Sequence, residues 1–145
     1  MVSARLTELT DPVDAAVDIL EKTVVVALKD VSKLSSGHRQ IVVAACKGTL
    51  TALLLKEYDL VSPSLKIVHA MIRIANTIQQ DPSELTTLSL HGIADMKRFL
   101  TSDKMASIRN AINQEFMGAG DMLQKIVEAA PSPDSDRMMQ DAPIS

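Results

Sequence analysis

The fold is decided by the stretch VDAAVDILEKTVVVALKDVSKL, residues 13–34, in which apolar residues recur in alternating steps of four and three. Such spacing keeps one apolar stripe along one side of an α-helix. The stripe consists of Val13, Val17, Leu20, Val24, Ala27, Val31 and Leu34. It predicts a first helix near residues 12–35 that packs against other helices.

Three helix starts, including that of the first helix, are marked by an N-capping residue followed by proline. The pairs are Asp11-Pro12, Ser62-Pro63 and Asp81-Pro82. Proline suits the first helical turn because its missing N–H would have no partner there. Another start is expected at Thr101 or Ser102, after a turn at 35–37 has separated the first two helices. These signals predict five helices, near residues 12–35, 38–58, 63–80, 82–100 and 102–129.

The predicted fold is all-α, a compact bundle of four to five helices joined by short loops. The second helix is apolar nearly all round, which is typical of the central member of a bundle. We expect a lead-in at residues 1–10, a bundle domain at 11–130 and a flexible acidic tail at 131–145. The tail is expected because its Pro-, Ser- and Asp-rich composition has no apolar periodicity.

Charge and hydropathy argue against two classes of partner. The chain of 145 residues has a formal net charge of −3, whereas nucleic-acid binding normally needs a basic surplus. Basic residues between Lys97 and Arg109 are diluted by nearby acids, so a solvated face is expected there. The most apolar stretch, 41–55, is interrupted by polar residues and is too short for the ~20 residues of a membrane span. We therefore expect neither nucleic-acid binding nor a membrane span.

Cys46 is the only cysteine of the chain. It can form neither an internal disulfide nor a multi-thiolate metal site. Its apolar neighbours predict a buried thiol. With no secretory signal apparent in the sequence, we expect a cytoplasmic or otherwise intracellular protein.

No residue pattern points to catalysis, a cofactor or a metal. His38, His69 and His91 lie on different predicted helices and lack a second ligand three or four residues away. Neither a nucleophile elbow nor a glycine-rich phosphate loop is present. The chain has no Trp, one Tyr and two Phe, so it offers few rings on which a cofactor could stack. We expect no enzyme activity, no cofactor and no metal.

His69 suggests a signalling function as an alternative. The run His69-Ala70-Met71-Ile72-Arg73 resembles the histidine region of phosphotransfer bundles, in which an exposed histidine is followed by a basic residue. It lacks the glycine of those proteins, and its basic residue is displaced by one position. The resemblance implies phosphoryl transfer through His69 in a signalling or small-ligand-binding bundle.

A second resemblance covers residues 112–123, INQEFMGAGDML. Apolar residues every three to four positions, followed by Gly-Asp and another apolar residue, resemble the groove-binding death-motif helix of apoptosis regulators, with Phe116 in place of the usual leucine. In that family the apolar residues fill a groove and the aspartate pairs with an arginine. The alternative to this interpretation is a core helix with a close crossing at its small residues.

The leading hypothesis is a non-catalytic helical protein–protein interaction module, such as an adaptor, chaperone, regulator or effector. The first and last helices are expected to face the partner, because they lie at the ends of the bundle and have apolar residues outside their main stripes. Self-association through the first helix is an allied hypothesis. The candidate partner-binding residues are Ile19, Val25, Val26, Ile112, Phe116, Asp121 and Leu123.

Overall fold

The computed structural model describes residues 11–129, and every regular element in that range is helical. The predicted lead-in, 1–10, and the predicted tail, 131–145, lie outside the described residues. The helices are α1 (Pro12–Leu28), α2 (Ser36–Leu55), α3 (Val61–Ile78), α4 (Pro82–Ala94), α5 (Ser102–Glu115) and α6 (Ala119–Ala129), with a 3₁₀ turn at Asp95–Arg98. The prediction of an all-α bundle is confirmed, with six helices in this range instead of four to five.

Three predicted helix starts are confirmed by capping hydrogen bonds. Asp11 Oδ1 accepts a bond from the backbone N–H of Val13 at 3.0 Å. Asp81 Oδ1 accepts one from the N–H of Ser83 at 2.9 Å, and Thr101 caps α5 in the same way. Each bond satisfies one of the backbone donors that the first turn of a helix leaves without an internal partner.

The predicted start at Ser62-Pro63 is wrong by about half a turn. Helix α3 begins at Val61, after the buried Leu60, and no side chain caps it. Pro63 is still within the first turn, where a missing N–H removes no intrahelical bond. The proline therefore marks the first turn correctly without marking its first residue.

The first helix ends seven residues earlier than predicted. Lys29 has extended backbone angles and Asp30 has a positive φ of 64°, so the helix stops at Leu28. Val31 and Leu34 nevertheless pack on the core, and Gln80 Nε2 donates to the carbonyl oxygen of Val31 at 2.5 Å. The apolar spacing continues because this connection also lies against the core, and spacing alone does not distinguish it from a helix.

The helices form three layers of two: α1 with α2, α3 with α4, and α5 with α6. Helix α3 packs against both α1 and α5, and α4 packs against both α2 and α6. The middle layer is therefore covered on both sides. The prediction that the second helix is the most enclosed is wrong, because α2 belongs to an outer layer and buries one side only.

Helices α2 and α4 approach closely at Gly92. A Cβ atom at this position would lie 2.8 Å from Cys46 Cβ and 3.1 Å from the backbone oxygen of Val43. From its position in a predicted helix, Gly92 is expected to be either a weak point or a close-contact site, and the structure shows a close contact. The glycine allows the two backbones to pack directly against each other.

The predicted helix at 102–129 is two helices. Helix α5 ends at Glu115, Phe116 has extended backbone angles, and Gly118 has a φ of +87°. Helix α6 then folds back on α5, so that a Cβ atom at Gly120 would lie 2.3 Å from Asn113 Cβ. The segment Gly118-Ala119-Gly120 is expected either to kink the helix or to let a neighbour approach closely, and the structure shows both a break in the helix and a close approach of its two parts.

Candidate protein-interaction surface

Helix α1, which forms one outer layer together with α2, exposes large apolar side chains. Ile19 is 65% exposed and Val26 is 78% exposed. They are seven residues apart, which is about two helical turns, so they lie on one line along the helix. The buried residues of α1 face the opposite side of this helix, toward α2 and α3 (Val17, Leu20, Val24 and Leu28). Two of the predicted partner-binding residues are therefore accessible on the surface.

Helix α2 exposes a longer apolar stripe than α1 does. Its ends are Leu55, which is 79% exposed, and Ile41, which is 44% exposed. The residues between them on the same side are Ala44, Gly48 and Ala52, and they are also exposed. The spacing of three and four residues places all five on one side of the helix, opposite Val42, Cys46, Leu50 and Leu53 of the core. We call these five residues the α2 outer stripe.

Sequence reasoning missed the α2 outer stripe because it placed the second helix inside the bundle. One signal was present in the sequence. Gln40, Lys47 and Thr51 form a thin polar line along this helix, and such a line indicates that one side meets water. Gln40 is exposed, whereas Lys47 and Thr51 are half-buried beside the stripe.

Val25 does not share the outward position of Ile19 and Val26. It is half-buried and lines a hollow between the end of α1 and the end of α3, together with Val31 and Ile78. This position explains why Val25 lies outside the main heptad stripe. Its side chain contributes to the packing of α1 on α3.

The four candidates at 112–123 lie in different environments. Ile112 and Leu123 are fully buried in the core, Phe116 is half-buried at the break between α5 and α6, and Asp121 is exposed on α6. The segment is therefore not one continuous amphipathic helix, which is a correction to the predicted fifth helix. Binding of its apolar residues in a partner's groove would require their release from the core.

His69 connects α3 to the end of α5. Its Nε2 atom lies 2.9 Å from Glu115 Oε2, and its ring is 4.6 Å from the ring of Phe116, tilted by 56°. About half of the His69 side chain is accessible to solvent. The imidazole thus has one carboxylate partner and one aromatic partner, both at the junction of α5 and α6.

Charged pairs connect α1 to α3. Lys66 Nζ lies 2.5 Å from Asp14 Oδ1 and 4.0 Å from Asp11 Oδ2, and Arg73 pairs with Glu21. The hydrogen bond that the Lys66 ammonium donates to Asp14 raises the pKa of Lys66, and the negative charges of Asp14 and Asp11 raise it further. This polar seam between α1 and α3 contrasts with the uncharged α2 outer stripe.

The pKa of Asp11 is lowered, first by its hydrogen bond from the backbone N–H of Asp14 and also by the charge of Lys66. These contacts stabilise the ionised carboxylate that caps α1. Charged pairs of this exposed kind contribute little to stability. Asp11 caps α1, and its contact with Lys66 joins α1 to α3.

Cys46 is buried between α2 and α4, as its apolar neighbours predict. Burial raises the pKa of its thiol to about 12. The thiol is therefore neutral at physiological pH, and its sulfur lacks the thiolate character that nucleophilic chemistry requires.

Two searches of residues 11–129 bear on other kinds of site. No group of three or more His, Cys, Asp or Glu side chains in this range is arranged to hold a metal ion. None of the helices in the same range combines the length and the apolar character needed to cross a bilayer.

Comparison with known protein families, with curated proteins and with solved structures finds no match to this chain.

Proposed function

We propose that the protein is a non-catalytic protein–protein interaction module whose outer α1–α2 layer binds a helix of a partner protein. The observation that carries this proposal is the α2 outer stripe, an uncharged apolar line on a helix that the rest of the bundle covers on one side only. From Ile41 to Leu55 the stripe runs about 21 Å along the helix. That length matches about four turns of a partner helix.

The composition of the stripe favours a helix as the partner element. Ala44, Gly48 and Ala52 lie on successive turns, and small side chains permit a close approach of two helix backbones. The larger Ile41 and Leu55 stand at the two ends and provide apolar area. Full burial of a side chain of this size stabilises a complex by about 1.5–3 kcal/mol before the entropy of association is subtracted.

A charge-insertion experiment tests this surface. Leu55→Lys combined with Val26→Lys places two charges on the outer layer without touching the core, because both side chains are largely exposed. Phe99→Lys is the control for a lysine at an exposed apolar position outside this layer, since Phe99 is 54% exposed and follows the 3₁₀ turn. Quantitative affinity capture from the native host should lose its specific partner with the double variant and keep it with the control. A captured partner that is retained equally by both variants would contradict the proposal.

A second copy of the chain is an alternative partner, favoured by the symmetry of the stripe. Ile41 and Leu55 are each seven positions from Gly48, and Ala44 and Ala52 are each four positions from it. An antiparallel pair of α2 helices crossing at Gly48 would therefore bring Ile41 of one copy to Leu55 of the other, as a two-fold interface requires. Light scattering after size exclusion tests this alternative, and a monomer mass at all concentrations would eliminate it.

A further inference from the structure

The α2 outer stripe has the same order of side-chain sizes when it is read from either end. Large residues stand at its two ends, an alanine follows each of them, and Gly48 lies at its centre. A Cβ atom at Gly48 would have no neighbour within 4 Å, so the centre of the stripe is open to the backbone of another helix. A two-fold interface requires this symmetry, because both subunits use the same patch. A partner of different sequence would not require it.

The two ends of α2 carry opposite net charge. The connection that precedes α2 has two lysines and one aspartate, and the connection that follows it has two acids and one lysine (Lys29, Lys33 and Asp30; Glu57, Asp59 and Lys56). All six side chains are exposed. Their net charge is therefore +1 before the helix and −1 after it. The dipole of α2 adds to this difference, because the N-terminal end of a helix is positive and its C-terminal end is negative.

Four of these charged groups are available to a partner. Among residues 11–129, no ion pair or side-chain hydrogen bond involves Lys29, Lys33, Glu57 or Asp59. Contacts between these groups and a second molecule would therefore replace no contact within the described bundle. Exposed charges add little to affinity, but they select the orientation of a partner because like charges repel each other across an interface.

We infer that the partner of the α2 outer stripe is a second copy of this chain, bound with its α2 antiparallel about a two-fold axis at Gly48. The inference rests on the proposed function, because it names the partner of the same surface. In this arrangement Ile41 of one copy lies against Leu55 of the other, and the basic connection 29–35 faces the acidic connection 56–60. A parallel pair would instead bring like charges together at both ends of α2.

Sedimentation equilibrium of the full chain measures this association. One pair of four-turn helices is a small interface beside the ~1,600 Å² of a standard protein complex. We therefore expect a reversible dimer whose mass average rises between roughly 1 µM and 1 mM protein. Leu55→Lys should weaken the dimer at least about tenfold, because it places a charge in an apolar contact, whereas Phe99→Lys should not.

Two charge-swapped variants test the orientation. Lys29→Glu with Lys33→Glu makes both ends of α2 acidic, and Glu57→Lys with Asp59→Lys makes both ends basic. Each variant alone should dimerise at least about tenfold more weakly than the unmodified chain, since like charges then meet at both ends. Mixed in equal amounts, the two variants should form a heterodimer of nearly the unmodified affinity, because every acidic end meets a basic one.

Lys104→Glu with Lys125→Glu is the matched control. It makes the same change of charge as the acidic variant, at exposed positions of α5 and α6. Its dimerisation should be as tight as that of the unmodified chain. High salt should reduce the difference between the swapped variants and the unmodified chain, since the charges are exposed.

Three outcomes would overturn the inference: a monomer mass at every concentration, swapped variants that dimerise as tightly as the control, or a mixture that forms no heterodimer. Leu55→Lys separates these failures from failure of the proposed function. If Leu55→Lys weakens the dimer and the charge swaps do not, the α2 outer stripe is a binding surface and the antiparallel arrangement is wrong. If the chain is a monomer, or if Leu55→Lys leaves the dimer intact, the second copy is not the partner of the stripe, and affinity capture with Val26→Lys and Leu55→Lys decides the proposed function by itself.

Discussion

Replacing Gly92 with alanine should push α2 and α4 apart and destabilise the bundle. The added Cβ atom would lie 2.8 Å from Cys46 Cβ and 3.1 Å from the backbone oxygen of Val43. Carbon atoms in ordinary contact are about 3.5–4.0 Å apart, so the helices would have to separate by roughly 1 Å at this crossing. The neighbours are a Cβ atom and backbone atoms, which cannot rotate away as the end of a long side chain can.

The magnitude follows from two opposing effects. Overpacking a well-packed core costs about 1–3 kcal/mol, whereas replacing glycine by alanine inside a helix stabilises by about 0.8–1 kcal/mol. Gly48→Ala is a matched control, because Gly48 is also helical and a Cβ atom there would meet nothing within 4 Å. The helix-propensity effect is common to both variants, so their difference isolates the steric cost of about 1–3 kcal/mol.

Urea unfolding followed by circular dichroism measures this difference. Gly48→Ala should raise the free energy of unfolding and Gly92→Ala should leave it unchanged or lower it. With a slope of about 1–3 kcal/mol per molar urea, a difference of about 2 kcal/mol separates the two midpoints by roughly 1 M. If Gly92→Ala were as stable as Gly48→Ala, the close crossing of α2 and α4 and the reasoning built on it would be refuted.

Two further predictions concern single side chains. Burial raises the pKa of the Cys46 thiol to about 12, so the free energy of unfolding should not depend on this thiol below pH ~9. As the pH rises from about 9 toward 12, the thiol ionises in the unfolded chain first, and the free energy of unfolding should therefore fall. Cys46→Ala should flatten this part of a pH-stability profile, and an unchanged profile would contradict the assignment. A phosphodonor should leave His69 unmodified, because the Glu115 carboxylate lies 2.9 Å from its Nε2 atom and would repel an incoming phosphoryl anion. A phosphoryl mass increase that disappears in His69→Ala would instead support the phosphotransfer alternative.

Local chemistry explains which features could be predicted from the sequence. The caps at Asp11, Asp81 and Thr101 depend on a side chain and the backbone two or three residues later, so the relevant partners are adjacent in sequence. The burial of Cys46 was also predicted, since its apolar neighbours lie on the same helix. For the candidate surface, only the outward positions of Ile19 and Val26 on α1 followed from the heptad pattern.

Features that depend on residues distant in sequence could not be predicted from local sequence patterns. The end of α1 at Leu28 depends on a connection that packs on the core and accepts a bond from Gln80. Apolar periodicity continues through that connection because contact with the core, rather than helical geometry, selects apolar residues there. The return of α6 on α5 likewise depends on the close contact between Gly120 and Asn113.

The sequence by itself therefore determined that the chain is helical, where three of its six described helices begin and which face of α1 is buried, because hydrogen bonds and side-chain spacing within one helix decide these features. Only the tertiary structure decided which helices are central. Helix α2 is apolar nearly all round, yet α3 and α4 occupy the middle layer because other helices pack on both of their sides. How many sides of a helix are covered depends on which helices pack against it. No described helix covers the outer side of α2, so the α2 outer stripe is exposed.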